Sequence, residues 1–231
     1  MPVRPSDSSG MPGMDPESFR EYGKRIVDWI ADYLNDPTRY PVLSRAEPGS
    51  IRRQIPPSPP AHGESMDDIV RDFERVVLPG ITHWNHPGFL AYFAISGSPP
   101  GILGEMLSAA LNVNGMLWRT SPAATELEEA VLDWLRQMIG LPPTFEGIIT
   151  DTASVSSLLA IVTARESLQL RIREEGMSGR SDLPRLRLYC SDQTHSSVEK
   201  AAITAGIGQA GVRKIPADAE FRMDVRELER A

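Results

Sequence analysis

Apolar residues recur at helical spacing near the start of the chain. Phe19, Tyr22, Ile26, Trp29 and Tyr33 are three or four positions apart, so they fall on one stripe of a helix. Asp15-Pro16-Glu17 supplies its start, with Asp as cap, Pro at the first helical position and Glu in the first turn. Pro37 stops it after Asn35. The stripe is heavily aromatic and needs a second body to pack on, in its own chain or in a partner. A second helix is capped at Ser65, faces Ile69, Phe73, Val76 and Val77 inward, and ends before Pro79-Gly80. A third is predicted over Pro99 to Leu117. A fourth opens at Thr120-Ser121-Pro122, buries Leu127, Val131, Trp134, Leu135 and Met138, and stops at Gly140-Leu141-Pro142-Pro143.

Beyond Pro143 the period changes. Strands over 147–150, 186–190 and 212–216 alternate with helices over 155–175 and 196–205, and a further helix begins at Asp224. Such alternation predicts an α/β fold with a mostly parallel sheet covered on both faces. Ligands bind where such strands end at their carboxyl edge, here the turns 151–154 and 191–195. The remaining segments are connectors. Residues 1–14 are rich in Pro, Ser and Gly and read as disordered. Residues 36–64 carry seven prolines and lie extended, and the aromatic-dense Thr82–Phe93 reads as an ordered loop or short strand. The chain thus divides into 1–14, a helical segment 15–97 and an α/β segment 98–231.

The first turn carries the densest candidate chemistry. Gly147-Ile148-Ile149-Thr150 runs into Thr152, Ser154, Ser156 and Ser157 at the head of a helix. Unpaired N–H groups and the positive end of the helix dipole make it an anchor for a phosphate; the plainer reading is an ordinary cap with spare serines. His195, in the second turn, sits at the same sheet edge and could stack on a planar ring held by its phosphate; otherwise it is structural. Gly206-Ile207-Gly208-Gln209-Ala210-Gly211 matches G-x-G-x-x-G, but a helix precedes it and a strand follows, the reverse of a dinucleotide site, so a nucleotide-dependent oxidoreductase has no other support. His83 and His86 lack a Cys or acidic partner at metal spacing, so no metal site is expected. Glu126, Glu128 and Glu129 complement a helix dipole rather than forming an acid pair.

Composition adds limits. The chain has 231 residues, 41% of them hydrophobic, and a formal net charge of −7, which argues against nucleic-acid binding. Cys190 is the single cysteine, an inert buried thiol by its context; no internal disulfide can form, which fits a reducing, cytoplasmic setting. No signal peptide and no run long enough for a membrane span is visible. Lysine occurs only at positions 24, 200 and 214.

Several segments, in order, resemble one family. His86-Pro87-Gly88-Phe89-Leu90-Ala91-Tyr92-Phe93 is similar to its "HPxFxAYF" segment. Gly104-Glu105-Met106-Leu107, Trp118-Arg119-Thr120-Ser121-Pro122-Ala123-Ala124-Thr125-Glu126-Leu127-Glu128 and Asp192-Gln193-Thr194-His195-Ser196-Ser197-Val198-Glu199-Lys200-Ala201 complete the set. The chain resembles the group II pyridoxal-phosphate-dependent amino-acid decarboxylases, nearest the aromatic-L-amino-acid branch, from about Asp15 to its last residue. The resemblance implies a fold type I, aspartate aminotransferase-like subunit with an N-terminal helical extension, truncated within the large domain. It implies pyridoxal 5′-phosphate as cofactor, decarboxylation of an L-amino acid to its amine and CO2, and a homodimer whose N-terminal helices wrap the partner. By the same resemblance Thr152, Ala153 and Ser154 hold the phosphate and His195 stacks on the pyridine ring. Tyr92 and Phe93 line the substrate pocket, while Asn114, Gly115 and Met116 reach the pocket of the other subunit. Aromatic members carry Pro-Thr where this chain has Ala94-Ile95, and Phe where it has Met116, which leaves the amino acid open. The acid that holds the pyridine nitrogen and the Schiff-base lysine belong to "HVDAA" and "HK" segments that this chain lacks. The expectation is an inactive N-terminal portion of such an enzyme; the alternative is a module for dimerisation or binding alone.

Overall fold

A computed structural model of the chain describes residues 13–92, Ile95 and 97–231. Of the segment 1–14 expected to be disordered, residues 1–12 lie outside the described residues, as do Phe93 and Ala94. The chain forms two compact units, Met1–Asn112 and Val113–Ala231, so the expected break at 97/98 falls inside the first.

In the first unit, helix α1 spans Pro16–Asn35, α2 spans Met66–Asp72 and α3 spans Pro99–Leu111. The Asp15 carboxylate accepts the N–H groups of Glu17 and Ser18, both at 3.0 Å, as its position before Pro16 predicts. The aromatic stripe of α1 divides in two. Trp29 stacks on Tyr33, with ring centroids 5.4 Å apart, and meets Phe73 edge-on at 5.0 Å. Tyr33 and Tyr40 then close over His83, which is 2% exposed. The Tyr33 hydroxyl lies 3.0 Å from His83 Nδ1. The C-terminal half of the stripe therefore finds its second body within the chain, whereas Phe19 and Ile26 stay exposed. An Arg25–Asp67 ion pair at 2.7 Å ties α1 to α2. The third helix ends six residues earlier than expected, because Asn112 takes a left-handed conformation (φ 48°) and closes it.

In the second unit, α4 spans Pro122–Met138, α5 Ala153–Glu166, α6 Ile172–Glu175, β1 Leu188–Ser191, α7 Ser196–Thr204, β2 Val212–Ile215 and α8 Val225–Arg230. Strands β1 and β2 pair in parallel, Leu188 opposite Val212 and Ser191 opposite Ile215, with α7 as the crossover. Three expectations change here. Residues 147–150 form no strand: no strand lies beside them among the described residues, and Ile148 and Ile149 stay 66% and 56% exposed. A β-branched run has strand propensity, but a strand exists only with a hydrogen-bonded neighbour. The helix expected over 155–175 breaks at 167–171, where Gln169 and Arg171 are both left-handed and the Ser167 hydroxyl donates back to the Ala164 carbonyl at 2.7 Å. The sheet is covered on one face only. Leu188 packs on α5 and α7, while Tyr189 on the opposite face is exposed. The apolar stripe of α4 is likewise uncovered at Leu127, Trp134, Leu135 and Met138.

The excursion between α5 and β1 is gathered by Arg180. It donates to both Asp182 oxygens, at 2.7 and 2.6 Å, and to the Leu170 carbonyl at 3.3 Å. The guanidinium holds the Asp182 carboxyl down to about 2. The G-x-G-x-x-G segment is a turn, as its order of elements required. Gly206 and Gly208 are left-handed (φ 82° and 74°), and a Cβ on Gly211 would stand 3.0 Å from the Leu186 carbonyl oxygen.

Burial between Tyr33 and Tyr40 holds the His83 imidazole below its ordinary value of 6.5. The unfolded chain then takes up the proton first, so the stabilisation is complete above pH 6.5 and is lost as pH falls below it. Thermal melts of the first unit between pH 7 and 5 should show this loss, and His83→Phe should flatten it relative to the unsubstituted chain.

Candidate functional site

Two helix starts form the candidate site. The core of the second unit consists of Ile161, Ala201 and Ala205, with Leu158, Val162, Leu188, Val198 and Ile207 packed around them. Alanines on α7 let it approach α5 closely along its length. Arg165, in the last turn of α5 and 15% exposed, donates through Nη1 to the carbonyl of Ala205, the C-cap of α7, at 2.6 Å. Glu166 holds the other side of the guanidinium at 2.8 and 3.1 Å. Helices that lie side by side with their C-terminal ends joined run in the same direction. Counting back at 1.5 Å per residue, their N-termini are level to within about two turns, ~10 Å.

At the first start, Thr152 is the N-cap of α5. Its Oγ1 accepts the Val155 N–H at 3.3 Å, and its carbonyl accepts those of Val155 and Ser156 at 3.1 Å. Thr150 Oγ1 bonds Ser156 Oγ at 2.6 Å, and Ser157 Oγ donates to the Ala153 carbonyl at 3.0 Å. The hydroxyls of Thr150, Ser156 and Ser157 are thus engaged within the turn, whereas that of Thr152 only accepts and keeps its O–H to donate. The N–H groups of Ala153 and Ser154 and the Ser154 hydroxyl have no protein partner among the described residues. Two N–H donors and a hydroxyl at the positive end of a helix suit the oxygens of a phosphate. At the second start, His195 caps α7 with its ring. Nδ1 accepts the Ser197 N–H at 3.2 Å and lies 2.9 Å from Ser197 Oγ. The turn before it is held by Asp192 N–H to the Ile215 carbonyl at 2.9 Å and Thr194 N–H to the Ser191 carbonyl at 3.0 Å.

The conserved domain of the pyridoxal-dependent decarboxylases matches residues 48–231 of this chain. The chain belongs to this family. It is 42% identical over 226 residues to the phenylacetaldehyde synthase of Petunia hybrida, a match covering 94% of the chain and 44% of that protein. Among solved structures, it superposes on Catharanthus roseus tryptophan decarboxylase in complex with L-tryptophan with a TM-score of 0.85 at 40% identity, over 95% of this chain and 48% of that one. Oryza sativa TDC, solved with PLP, gives 0.83 at 35% identity, over 94% and 48%. The chain spans about half the length of the relatives it matches, and carries that share of the fold type I architecture.

This decarboxylase-family chain places its remaining candidates as follows. Asn114 and Met116 form a tight turn, Met116 N–H to Asn114 Oδ1 at 2.8 Å, with Thr120 Oγ1 donating to the Asn114 carbonyl at 2.8 Å and the Met116 side chain exposed. Tyr92 belongs to the first unit, is exposed and left-handed (φ 59°), and stacks parallel to Trp84 at 5.6 Å. Trp84 also stacks on Phe89 at 4.8 Å. The aromatic density of 82–93 signalled this cluster without singling out Trp84. Phe93 lies outside the described residues. None of the three lysines belongs to either turn. Lys214 pairs with Glu199 at 2.7 Å, which raises the lysine and lowers the carboxyl, while Lys200 is exposed on α7 and Lys24 lies on α1.

Arg165 is the residue that pattern reading passed over, because an arginine late in a helix looks like surface. Arg165→Met should destabilise the second unit by about 2 kcal/mol, the worth of a hydrogen bond from a charged donor, measured by urea unfolding.

Proposed function

We propose that the second unit holds pyridoxal 5′-phosphate across the paired starts of α5 and α7, and that the chain is the N-terminal portion of a decarboxylase of L-amino acids. The observation that supports this is the packed α5–α7 pair, whose starts carry the unpartnered donors of Ala153 and Ser154 and the ring of His195. Bound there, the cofactor supplies an electron sink for the bond broken at the amino acid's Cα. The chain's own part is to bind and orient. The N–H groups of Ala153 and Ser154, with the hydroxyls of Thr152 and Ser154, hold the phosphate. His195 would lie against the flat ring and keep water from that face. In a homodimer Asn114 and Met116 would reach the partner's pocket. The relatives named for tryptophan decarboxylation and phenylacetaldehyde synthesis make an aromatic amino acid the first substrate to try, with amine or aldehyde as product.

With no lysine in either turn, the chain alone should bind the cofactor without turnover. Incubation with one equivalent of pyridoxal phosphate and borohydride should give no stoichiometric adduct at Lys24, Lys200 or Lys214 by mass spectrometry, and L-tryptophan should release no CO2. A chain of this kind still serves as a binding module, a reading favoured by the exposed apolar residues Trp134, Met138, Ile148 and Ile149.

Binding itself is tested by titrating the chain with pyridoxal phosphate and with pyridoxal. The phosphate should improve affinity by about tenfold or more, as charge-assisted hydrogen bonds do. Ser154→Asp should abolish that gain by like-charge repulsion while leaving the melting temperature equal or higher, since an acid at a helix start is stabilising. Equal affinity for the two ligands, or unchanged binding in Ser154→Asp, would overturn the assignment.

A further inference from the structure

We infer that Ser197 is a positioning residue that fixes the His195 ring in one orientation and, in the neutral ring, in the tautomer protonated on Nε2. A backbone N–H can only donate, and that of Ser197 lies 3.2 Å from His195 Nδ1, so Nδ1 presents its lone pair there. A proton on Nδ1 would set N–H against N–H. The Ser197 hydroxyl lies 2.9 Å from the same nitrogen and donates to it as well. One residue thus occupies Nδ1 from two directions, and Nε2–H is left as the ring's only donor.

Burial makes this arrangement durable. Ser197 is buried and stands four residues before Ala201 and eight before Ala205, so it extends the α7 stripe that packs on α5 with Ile161. Its side chain is enclosed there, so the bond to Nδ1 is sheltered, while the His195 ring that it holds stays exposed to a ligand. Helix caps are ordinarily Ser, Thr, Asp or Asn. Here an imidazole takes that position although Thr194 and Ser196 flank it, and capping commits one of its nitrogens. A flat ring clamped before any ligand arrives loses little freedom when a second ring stacks on it.

The tautomer stands on this geometry alone; its use against a cofactor rests on the pyridoxal-phosphate reading above. The test is long-range 1H–15N correlation spectroscopy on the 15N-labelled full chain, with the His195 signals assigned by their loss in His195→Gln. The expected pattern is a single Nε2–H tautomer. Ser197→Ala, which keeps the backbone donor but removes the hydroxyl, should shift the ring nitrogens toward a mixture and weaken pyridoxal-phosphate affinity about fivefold, the loss of one hydrogen bond. Ser196→Ala, at the exposed neighbour, should change neither. An Nδ1–H pattern in the unsubstituted chain, unchanged ring signals in Ser197→Ala, or an equal shift in Ser196→Ala would overturn the inference. A tautomer that responds to Ser197→Ala in a chain that binds no pyridoxal phosphate supports the positioning role and sinks the cofactor reading instead.

Discussion

The hydrogen bond from Arg165 to the Ala205 carbonyl joins the end of one helix to the end of another, and the geometry of the second unit follows from it. A guanidinium that is mostly buried needs acceptors in fixed places, and Ala205 and Glu166 provide them. With the C-terminal ends pinned and the alanine face of α7 packed on Ile161, the two helices share a direction. Their N-termini, with positive dipole ends, then lie at the end of the pair away from the arginine. A contact at one end of a helix pair thus decides the chemistry available at the other. The β1–α7–β2 crossover adds the second constraint, since a parallel pair of strands sets where α7 must start.

The first unit is held by a different kind of interaction. His83 sits between two tyrosine rings with Trp29 and Phe73 beyond, and almost no polar atoms are involved apart from the Tyr33 hydroxyl. Such a cluster gains from area and from ring geometry together. The imidazole is tolerated there because one nitrogen has a partner and the neutral form dominates, as its lowered basicity reflects. The adjoining Trp84–Phe89–Tyr92 stack continues the aromatic theme on the surface.

Apolar surface remains exposed over much of the second unit: on α4, on the 147–150 run and on the outer side of β1. An open groove of about 480 Å3 follows α5 beside Ile148 and Thr150. These features accord with a chain that spans about half the length of its relatives, where strands and helices of the remaining fold type I architecture would supply neighbours. The candidate residues at the starts of α5 and α7 belong to the second unit, and neither of its lysines, Lys200 and Lys214, lies in those turns.

Local chemistry was legible in the sequence. Caps at Asp15, Ser65 and Ser121, the stops at Pro37 and Gly140, the turn built from Gly206 and Gly208, and the family motifs all depend on neighbouring residues, whose spacing fixes their geometry. Long-range partnership was not legible. Whether 147–150 pairs, which half of the α1 stripe is covered, where the 155–175 helix breaks, and that Arg165 reaches Ala205 each depend on residues distant in the chain. Periodicity marks which face of an element is apolar but carries no information about what lies against it. That is why His195 could be nominated from its turn alone, whereas its bonds to Ser197 and the packing of α5 on α7 emerged only in the folded chain.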